Sequence, residues 1–245
     1  MKTIIITGAG RGIGKAIALK FAKEGFNVTI NCNRSADELK VTADEIMRLN
    51  KESEDNILTL QGDVGDYSFA EELVARTIEK FGRVDALVNN AGISYIGLLT
   101  DMTGEDWNHV LTTNLTSIFN MSKFAARDML HYHDGRILNT SSMWGNVGTS
   151  MEVAYSASKG GVNSFTRALA KELAPSGISV NAIACGVIDT KMNACFTDEE
   201  RTALIEEIPY CRMGEPSEVA DLAYNIITGP AYLTGQIITV DGGMT

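Results

Sequence analysis

Short apolar runs alternate along this chain with longer segments whose apolar residues recur at helical spacing. The first run, residues 2–7, leads directly into a glycine-rich turn and then into a helical pattern. Apolar runs of this length that are bounded by turn residues predict buried strands, here at 2–7, 27–33, 56–62, 84–89, 136–141, 179–184 and 236–240. The amphipathic segments predict helices after the glycine turn and at 36–52, 67–81, 115–130, 153–174 and 216–228.

The alternation of strands and helices predicts an α/β fold. Such alternation favours a doubly wound parallel sheet of about seven strands with helices on both faces. A chain of 245 residues fits one such domain, and no linker, repeat or low-complexity segment divides residues 1–245. Ligands of these sheets bind beyond the carboxyl ends of the strands, so the candidate functional residues are those at the strand ends.

Composition argues against some classes of partner. The chain carries 21 basic and 31 acidic residues, a net charge of −10, which argues against a general nucleic-acid or anionic-membrane surface. The apolar stretch at the amino terminus is too short for a signal peptide, so we expect a cytoplasmic protein. Reduced thiols and no metal site are predicted, because no metal-ligand spacing joins the four cysteines Cys32, Cys185, Cys195 and Cys211.

The turn at residues 8–14, with the sequence Gly-Ala-Gly-Arg-Gly-Ile-Gly, predicts a dinucleotide site. Glycines between a strand and a helix let the backbone approach a diphosphate, and the amide groups and dipole of the helix favour its negative charge. Glycines also serve tight turns that bind no ligand. Here the preceding strand and the following helix supply the context that a dinucleotide site requires.

Tyr155 and Lys159 are candidates for acid–base chemistry. Because they lie four residues apart on one predicted helix, the phenol and the ammonium share a face. A nearby cation favours the phenolate, so we expect Lys159 to lower the pKa of Tyr155 from its usual value of about 10. Ser142, at the end of a predicted strand, is expected to hold a carbonyl oxygen against that phenol, as reduction of a ketone by hydride requires.

Taken in order, these residues resemble the short-chain dehydrogenase/reductase family from end to end. The resemblance is carried by Thr7-Gly8-x-x-x-Gly12-x-Gly14, Asn89-Asn90-Ala91-Gly92, Asn114, Ser142 and Tyr155-x-x-x-Lys159. Asp63-Val64 also resembles the family's adenine contact, and Asp241-Gly242-Gly243 resembles its usual ending. Within the family the chain is most similar to bacterial 3-oxoacyl-[acyl-carrier-protein] reductases, which implies a Rossmann-type fold and an oxidoreductase.

The resemblance also implies roles for single residues. Tyr155 would give a proton to the carbonyl oxygen, Ser142 would position that oxygen, and Lys159 would also bind the nicotinamide ribose. Asn114 would hold a water that links the lysine to solvent, and it also suits a helix N-cap, a role compatible with the first. The implied cofactor contacts are Gly8, Arg11, Gly12, Ile13 and Gly14 at the diphosphate, Asp63 and Val64 at the adenine, Asn90, Ala91 and Gly92 beside the adenine ribose, and Ile188 and Thr190 at the nicotinamide.

The end of the second predicted strand bears on the choice of cofactor. An acidic residue there accepts from the ribose 2′-hydroxyl of NAD, whereas a 2′-phosphate needs a cation. The chain has Asn33 and Arg34 at this place, with no carboxylate, and Arg11 could close on the phosphate from the glycine turn. NADPH is therefore predicted over NADH, and the alternative is that Arg34 is simply a solvated loop residue.

Three positions depart from the family pattern. Cys185 replaces the proline that usually precedes the glycine at position 186, so a backbone constraint is lost before the nicotinamide contacts. The Cys185 thiol is either a reactive group or a small apolar filler. His133 and Ser176 lie where carrier-protein reductases tend to present basic docking residues. This departure concerns the docking of a carrier protein and leaves the residues for ketone reduction intact.

Two further expectations concern the shape of the substrate site and the assembly. An apolar slot over the nicotinamide is expected from Trp144, Met151 and Met192, with Tyr95 and Phe196, although each could equally pack into the core. By resemblance, residues 190–212 form a small substrate lid and the protein is a homotetramer.

The leading hypothesis is an NADPH-dependent reductase of a 3-oxoacyl thioester, with an acyl carrier protein as the carrier that the resemblance implies. The alternative is a reductase of another ketone, on a small metabolite or on modified elongation factor P. A non-catalytic, NADPH-sensing regulator is a further alternative, but such a protein would not need all of Asn114, Ser142, Tyr155 and Lys159.

Overall fold

The protein is described by a computed structural model over residues 1–49, 54–193 and 196–245. The strands in these ranges are β1 (Thr3–Ile6), β2 (Asn27–Cys32), β3 (Ile57–Gln61), β4 (Ala86–Asn89), β5 (Gly135–Ser142), β6 (Ile178–Cys185) and β7 (Ile237–Val240). They form one seven-stranded sheet in the order β3-β2-β1-β4-β5-β6-β7, and every neighbouring pair is parallel. The predicted α/β fold with a parallel sheet is confirmed.

Helices connect the strands. They are α1 (Gly12–Lys23), α2 (Ala36–Leu49), α3 (Tyr67–Phe81), α4 (Gly104–Leu111), α5 (Ser117–Tyr132), α6 (Trp144–Val147), α7 (Val153–Leu173), α8 (Asp198–Glu207) and α9 (Pro216–Thr228). Turns of 3-10 helix occur at Leu99–Asp101, Ala174–Ser176 and Lys191–Asn193, and a π-helical segment, Thr112–Thr116, joins α4 to α5. The predicted helix over 36–52 is described as far as Leu49, whereas residues 50–52 and Cys195 lie outside the described residues.

Helices α4 and α8 were not predicted from apolar periodicity. Helix α8 buries none of its residues, all of which are described, so it has no apolar stripe to detect. Capping boxes start both helices, with Thr103 paired to Asp106 before α4 and Thr197 paired to Glu200 before α8. The Thr-x-x-Asp and Thr-x-x-Glu spacings are therefore the sequence patterns that could have predicted the starts of these two helices.

The core lies on both faces of the sheet because strand side chains alternate in direction. Ile4 and Ile6 of β1 join an apolar cluster with α1 and α9, whereas Ile5 joins a second cluster with α3, α5 and α7. All three isoleucines are fully buried, and each such side chain stabilises the fold by roughly 1.5–3 kcal/mol relative to exposure. Helices thus cover both faces, as the alternation predicted.

The strand order reverses at β1. The chain runs outward from β1 through β2 to β3 and then returns to β4 on the other side of β1. The loops that follow β1 and β4 therefore diverge and leave a crevice beyond their carboxyl ends. The glycine turn follows β1 and the Asn90-Ala91-Gly92 segment follows β4, so the fold brings both to this crevice.

Candidate active site

The glycine turn forms a tight cradle at the start of α1. Gly8 and Gly12 have positive φ angles of 65° and 56°, a region that favours glycine. A Cβ on Gly8 would lie 2.8 Å from the Ala91 Cα, and one on Gly14 would lie 2.4 Å from the Gly8 carbonyl oxygen. The N-cap residue Arg11 makes no side-chain capping bond, so the first amides of α1 are open to an anion. The cradle fits a dinucleotide diphosphate.

Asn90 ties the loop after β4 to this cradle. Its Nδ2 donates to the carbonyl oxygens of Thr7 and Gly8, each at 3.1 Å. The Thr7 hydroxyl accepts from the backbone amides of Asn90 and Ala91, each at 3.0 Å. These four bonds hold the two loops of the crevice in fixed register.

A cavity of about 590 Å³ runs from the glycine turn to Tyr155. Most predicted site residues line it: Gly8, Arg11, Gly12, Ile13, Asn33, Asn90, Ala91, Gly92, Ser142, Trp144, Tyr155, Lys159, Ile188, Thr190, Met192 and Phe196. A volume of this size suits a cofactor and a small substrate. The carboxyl ends of the strands therefore bring together the residues that the sequence separates.

Several predicted contacts do not line the cavity: Gly14, Arg34, Asp63, Val64, Tyr95, Asn114 and Met151. Gly14 packs beneath the glycine turn, and the Asp63 Oδ1 accepts from the Gly65 amide at 2.8 Å. Val64 is buried in the core, and the Arg34 and Met151 side chains are exposed. The contact of Arg34 with a 2′-phosphate stays a prediction.

Ser142, Tyr155 and Lys159 meet at the far end of the cavity. Strand β5 ends at Ser142, and helix α7 presents the other two on one face. The Lys159 Nζ lies 5.6 Å from the centre of the Tyr155 ring and donates to the Thr140 carbonyl oxygen at 2.7 Å. The Ser142 hydroxyl accepts from the Trp144 amide at 3.2 Å.

The expected effect of Lys159 on Tyr155 is wrong. Burial raises the pKa of the Tyr155 phenol above its usual value, and the hydrogen bond with Ser142 only partly opposes this. Burial also lowers the pKa of Lys159 to about 8, while its ammonium is directed at the Thr140 carbonyl. Tyr155 is therefore a protonated phenol at neutral pH, which is the form that donates a proton.

Cys185 lies beside this group at the end of β6. The thiol is buried, and burial raises its pKa to about 12. A neutral thiol is a poor nucleophile. Of the two interpretations of Cys185, the small apolar filler therefore agrees with the structure.

Asn114 lies inside the π-helical segment between α4 and α5, so the alternative of a helix N-cap is wrong. Its Oδ1 accepts from the Ile93 amide at 2.8 Å, and its Nδ2 donates to the Ile93 carbonyl at 2.8 Å and to the Ser158 hydroxyl at 3.0 Å. A Cβ on Gly92 would lie 3.4 Å from the Asn114 Oδ1 and 3.5 Å from the Lys159 Nζ. Asn114 and Lys159 thus both lie next to Gly92.

A carboxylate that the sequence did not predict lies beside the glycine turn. Glu38, in the first turn of α2, accepts from the Arg11 Nη1 at 3.2 Å and from the Lys191 Nζ at 2.5 Å. The Lys191 hydrogen bond and the Arg11 charge hold the pKa of Glu38 below its usual range. The end of β2 itself carries no carboxylate, as expected. The first turn of α2, however, brings the Glu38 carboxylate back beside the glycine turn.

A second carboxylate lies at the Tyr155 end. The Ser94 hydroxyl donates to the Glu152 Oε1, and both residues line the cavity. Sequence reasoning missed them, although Glu152 precedes Tyr155 by only three residues. Other lining residues that were not predicted as site residues are Gly10, Cys32, Ser35, Ile93, Ile96, Thr140, Ser141, Met143, Cys185, Gly186, Val187, Lys191 and Leu204.

Helix α8 covers one side of the cavity. The Arg201 Nη2 donates to the Asp189 Oδ2 at 2.7 Å and so fixes α8 to the loop after β6. Leu204 of α8 lines the cavity. Within the described ranges there is no cluster of three or more potential metal ligands, and no helix long and apolar enough to span a bilayer.

Known proteins match this chain closely. A family model described as short chain dehydrogenase matches residues 2–201. The 3-oxoacyl-[acyl-carrier-protein] reductase FabG of Staphylococcus epidermidis is 38% identical over 244 residues, which cover 99% of this chain and 98% of that protein. The 3-oxoacyl-[acyl-carrier-protein] reductase of Synechocystis is 40% identical over 242 residues, with 98% and 95% covered. A crystal structure of an actinorhodin polyketide ketoreductase variant with NADPH superimposes with a TM-score of 0.93 at 36% identity, covering 99% of this chain and 97% of that one.

Proposed function

Because the chain belongs to the short chain dehydrogenase family, we propose that it is an NADPH-dependent carbonyl reductase that converts a 3-oxoacyl thioester to the 3-hydroxyacyl form. One observation carries this proposal. Ser142, Tyr155 and Lys159 line one end of a cavity whose other end is the glycine cradle. A carbonyl between them would therefore lie within reach of both a proton donor and a cofactor.

The cofactor would be held by the residues around the cradle. The open amides of α1 would bind the diphosphate, and Ile188 and Thr190 would flank the nicotinamide. A Cβ on Gly12 would lie 3.3 Å from the Thr190 Cγ2, so Thr190 packs closely against the glycine turn. Bound NADPH supplies the hydride that the carbonyl carbon accepts.

Tyr155 would donate the proton that the carbonyl oxygen needs. Its raised pKa keeps the phenol protonated, and the hydrogen bond with Ser142 directs its hydroxyl towards the end of β5. Ser142 would hold the carbonyl oxygen by a second hydrogen bond, which strengthens as negative charge develops on that oxygen. Proton donation by a positioned group typically contributes about 10²–10⁴-fold to the rate.

Lys159 would stabilise the phenolate that forms when Tyr155 gives up its proton. Its pKa of about 8 leaves most of the amine protonated at neutral pH, so a positive charge lies near the ring at that moment. Asn114 fixes the Ile93 backbone and the Ser158 hydroxyl beside the ammonium. We assign Asn114 a positioning role in returning a proton to this pair.

A 3-oxoacyl thioester is the proposed substrate because the relatives named above act in that chemistry. The second candidate is a ketone that no carrier presents. His133 caps the end of α5, and Ser176 lies just before β6. Neither is a lysine or arginine that would meet an acidic carrier, which favours the second candidate. Glu152 favours it as well, since a carboxylate beside Tyr155 suits a substrate that carries a hydrogen-bond donor.

The test is reduction of acetoacetyl groups on coenzyme A, acetoacetyl groups on an acyl carrier protein, and a free ketone, with NADPH oxidation followed by absorbance. Tyr155→Phe is expected to reduce turnover about 10²–10⁴-fold while NADPH affinity stays unchanged. Tyr232→Phe is the matched control, because that ring is fully exposed and away from the cavity. An unchanged rate in Tyr155→Phe would refute the assigned acid, and turnover of free ketones alone would favour the second candidate.

Domain organisation, assembly and location remain predictions. We propose one domain over residues 1–245, with α8 as its lid, because Asp189 anchors α8 and Leu204 lines the cavity. The homotetramer is supported by an apolar groove between α5 and α7, where Phe119 is 46% exposed. The cytoplasmic location is proposed from the sequence alone.

A further inference from the structure

The positive side chains that line the cavity are already engaged. Among the described lining residues, the cations are Arg11 and Lys191 near the glycine turn and Lys159 at the opposite end. Arg11 and Lys191 both bind the carboxylate of Glu38, one to each oxygen. The two cations beside the glycine turn therefore share an internal anion, and one of them, Arg11, is a cation that the sequence assigned to a 2′-phosphate.

Glu38 lies close to the glycine turn and is less exposed than either of its two cationic partners. Gly10 of the glycine turn faces the first turn of α2, and a Cβ on Gly10 would lie 3.6 Å from the Glu38 Cβ. The Glu38 side chain is 27% exposed, compared with 57% for Arg11 and 67% for Lys191. The carboxylate is thus the most enclosed member of the cluster, and the two longer cationic side chains reach it from solvent.

We propose that Glu38 is a coenzyme-specificity residue, which competes with the 2′-phosphate of NADPH for Arg11 and Lys191 and so narrows the preference for NADPH over NADH. The inference rests on the proposed function, since it requires a nicotinamide cofactor in this cavity. Glu38 touches neither the reacting carbonyl nor the proton donor, so it changes which cofactor binds and leaves the chemistry unchanged.

The reason is a difference between the two cofactors. A 2′-phosphate carries about two negative charges and binds cations in the same way as a carboxylate. NADPH must therefore draw Arg11 or Lys191 away from Glu38 and accept a neighbouring negative charge. NADH has no phosphate at this position, so its binding leaves the cluster intact.

The test is titration of the full-length protein with NADPH and with NADH, without substrate, in three forms: wild type, Glu38→Gln and Asp37→Asn. Asp37 is the matched control, because it is the exposed acid next to Glu38 in the same helical turn. One exposed ion pair changes an equilibrium by up to about fivefold, so release of both cations should tighten NADPH binding about five- to twentyfold. NADH binding should change by less than about twofold in both variants.

The outcomes separate this inference from the proposed function. Tighter NADPH binding in Glu38→Gln alone supports the competition. Equal effects in the two variants, or weaker NADH binding with unchanged NADPH binding in Glu38→Gln, would overturn it. A wild-type protein that binds neither cofactor would instead overturn the proposed function.

Discussion

Replacement of Lys159 by methionine should make the stability of this protein less dependent on pH. Lys159 lies in the core of the active site, where burial lowers its pKa from 10.5 to about 8. Methionine preserves much of the volume of the side chain and removes the titrating group. The substitution therefore isolates the free energy of holding a cation in this buried place.

The sign follows from proton binding. Between the two pKa values the unfolded chain keeps a proton on Lys159 that the folded protein has released, so the free energy of unfolding rises with pH. The difference between 10.5 and about 8 corresponds to a destabilisation of about 3 kcal/mol at pH 7, which falls to about 1.5 kcal/mol at pH 9.5. Wild type should thus gain about 2 kcal/mol over this interval relative to Lys159→Met.

Two other effects leave this comparison unchanged. One is independent of pH, and the other is the same in both proteins. Loss of the bond from the Lys159 Nζ to the Thr140 carbonyl costs about 1–3 kcal/mol at every pH. Cys185, whose pKa burial raises to about 12, destabilises the fold as pH rises above 9.0, but it does so in both proteins. The change with pH in the difference between the two proteins is therefore the quantity to compare.

The assay is urea denaturation of both proteins at pH 7 and pH 9.5, with Lys171→Met as the control. Lys171 is on the exposed side of the same helix, so its replacement should leave the pH dependence as in wild type. A difference between wild type and Lys159→Met that stays constant over this range would refute the reasoning, because it would mean that Lys159 is not held as a buried, titrating cation.

Three further predictions concern other parts of the molecule. Gly14→Ala should weaken NADPH binding at least about tenfold and lower the free energy of unfolding by about 1–3 kcal/mol, because the added Cβ would lie 2.4 Å from the Gly8 carbonyl oxygen. Calorimetric titration measures the first effect, and urea denaturation measures the second. Glu152→Gln should raise kcat/KM for an anionic ketone such as acetoacetate several-fold more than for a neutral ketone. The substitution keeps a hydrogen-bond partner for Ser94 and removes a negative charge from the cavity. Equal gains for the two ketones would contradict this prediction. Phe119→Glu should convert the tetramer expected in light scattering to a smaller species, since it places a charge in the apolar groove, and a wild-type monomer would contradict the assembly.

Features with a local signature could be predicted from the sequence. Strands β1 and β6 show as apolar runs because both of their faces are buried, and α7 shows as an apolar stripe that ends before Gly177. The placement of Tyr155 and Lys159 on one helix face also follows from helical pitch alone. Helix α8 lies on the surface and has no apolar stripe, so its local signal is the capping box formed by Thr197 and Glu200.

Other features depend on distances and burial that arise only when the chain is packed. Glu38 reaches Arg11 because the first turn of α2 folds back on the glycine turn, 27 residues away in sequence. The helical path through Asn114 is π-helical, and its side chain joins Ile93 to Ser158 instead of capping a helix. Neither contact is visible in the spacing of residues along the chain.

The proton donor shows the same division. The sequence by itself determined that a phenol and an ammonium share one helix face at the end of a parallel sheet, because helical pitch and strand periodicity are local properties. Only the tertiary structure decided the direction of the pKa of Tyr155. Enclosure by the strand ends and neighbouring loops outweighs a cation that the Thr140 carbonyl holds aside, and desolvation depends on everything that surrounds a group in space.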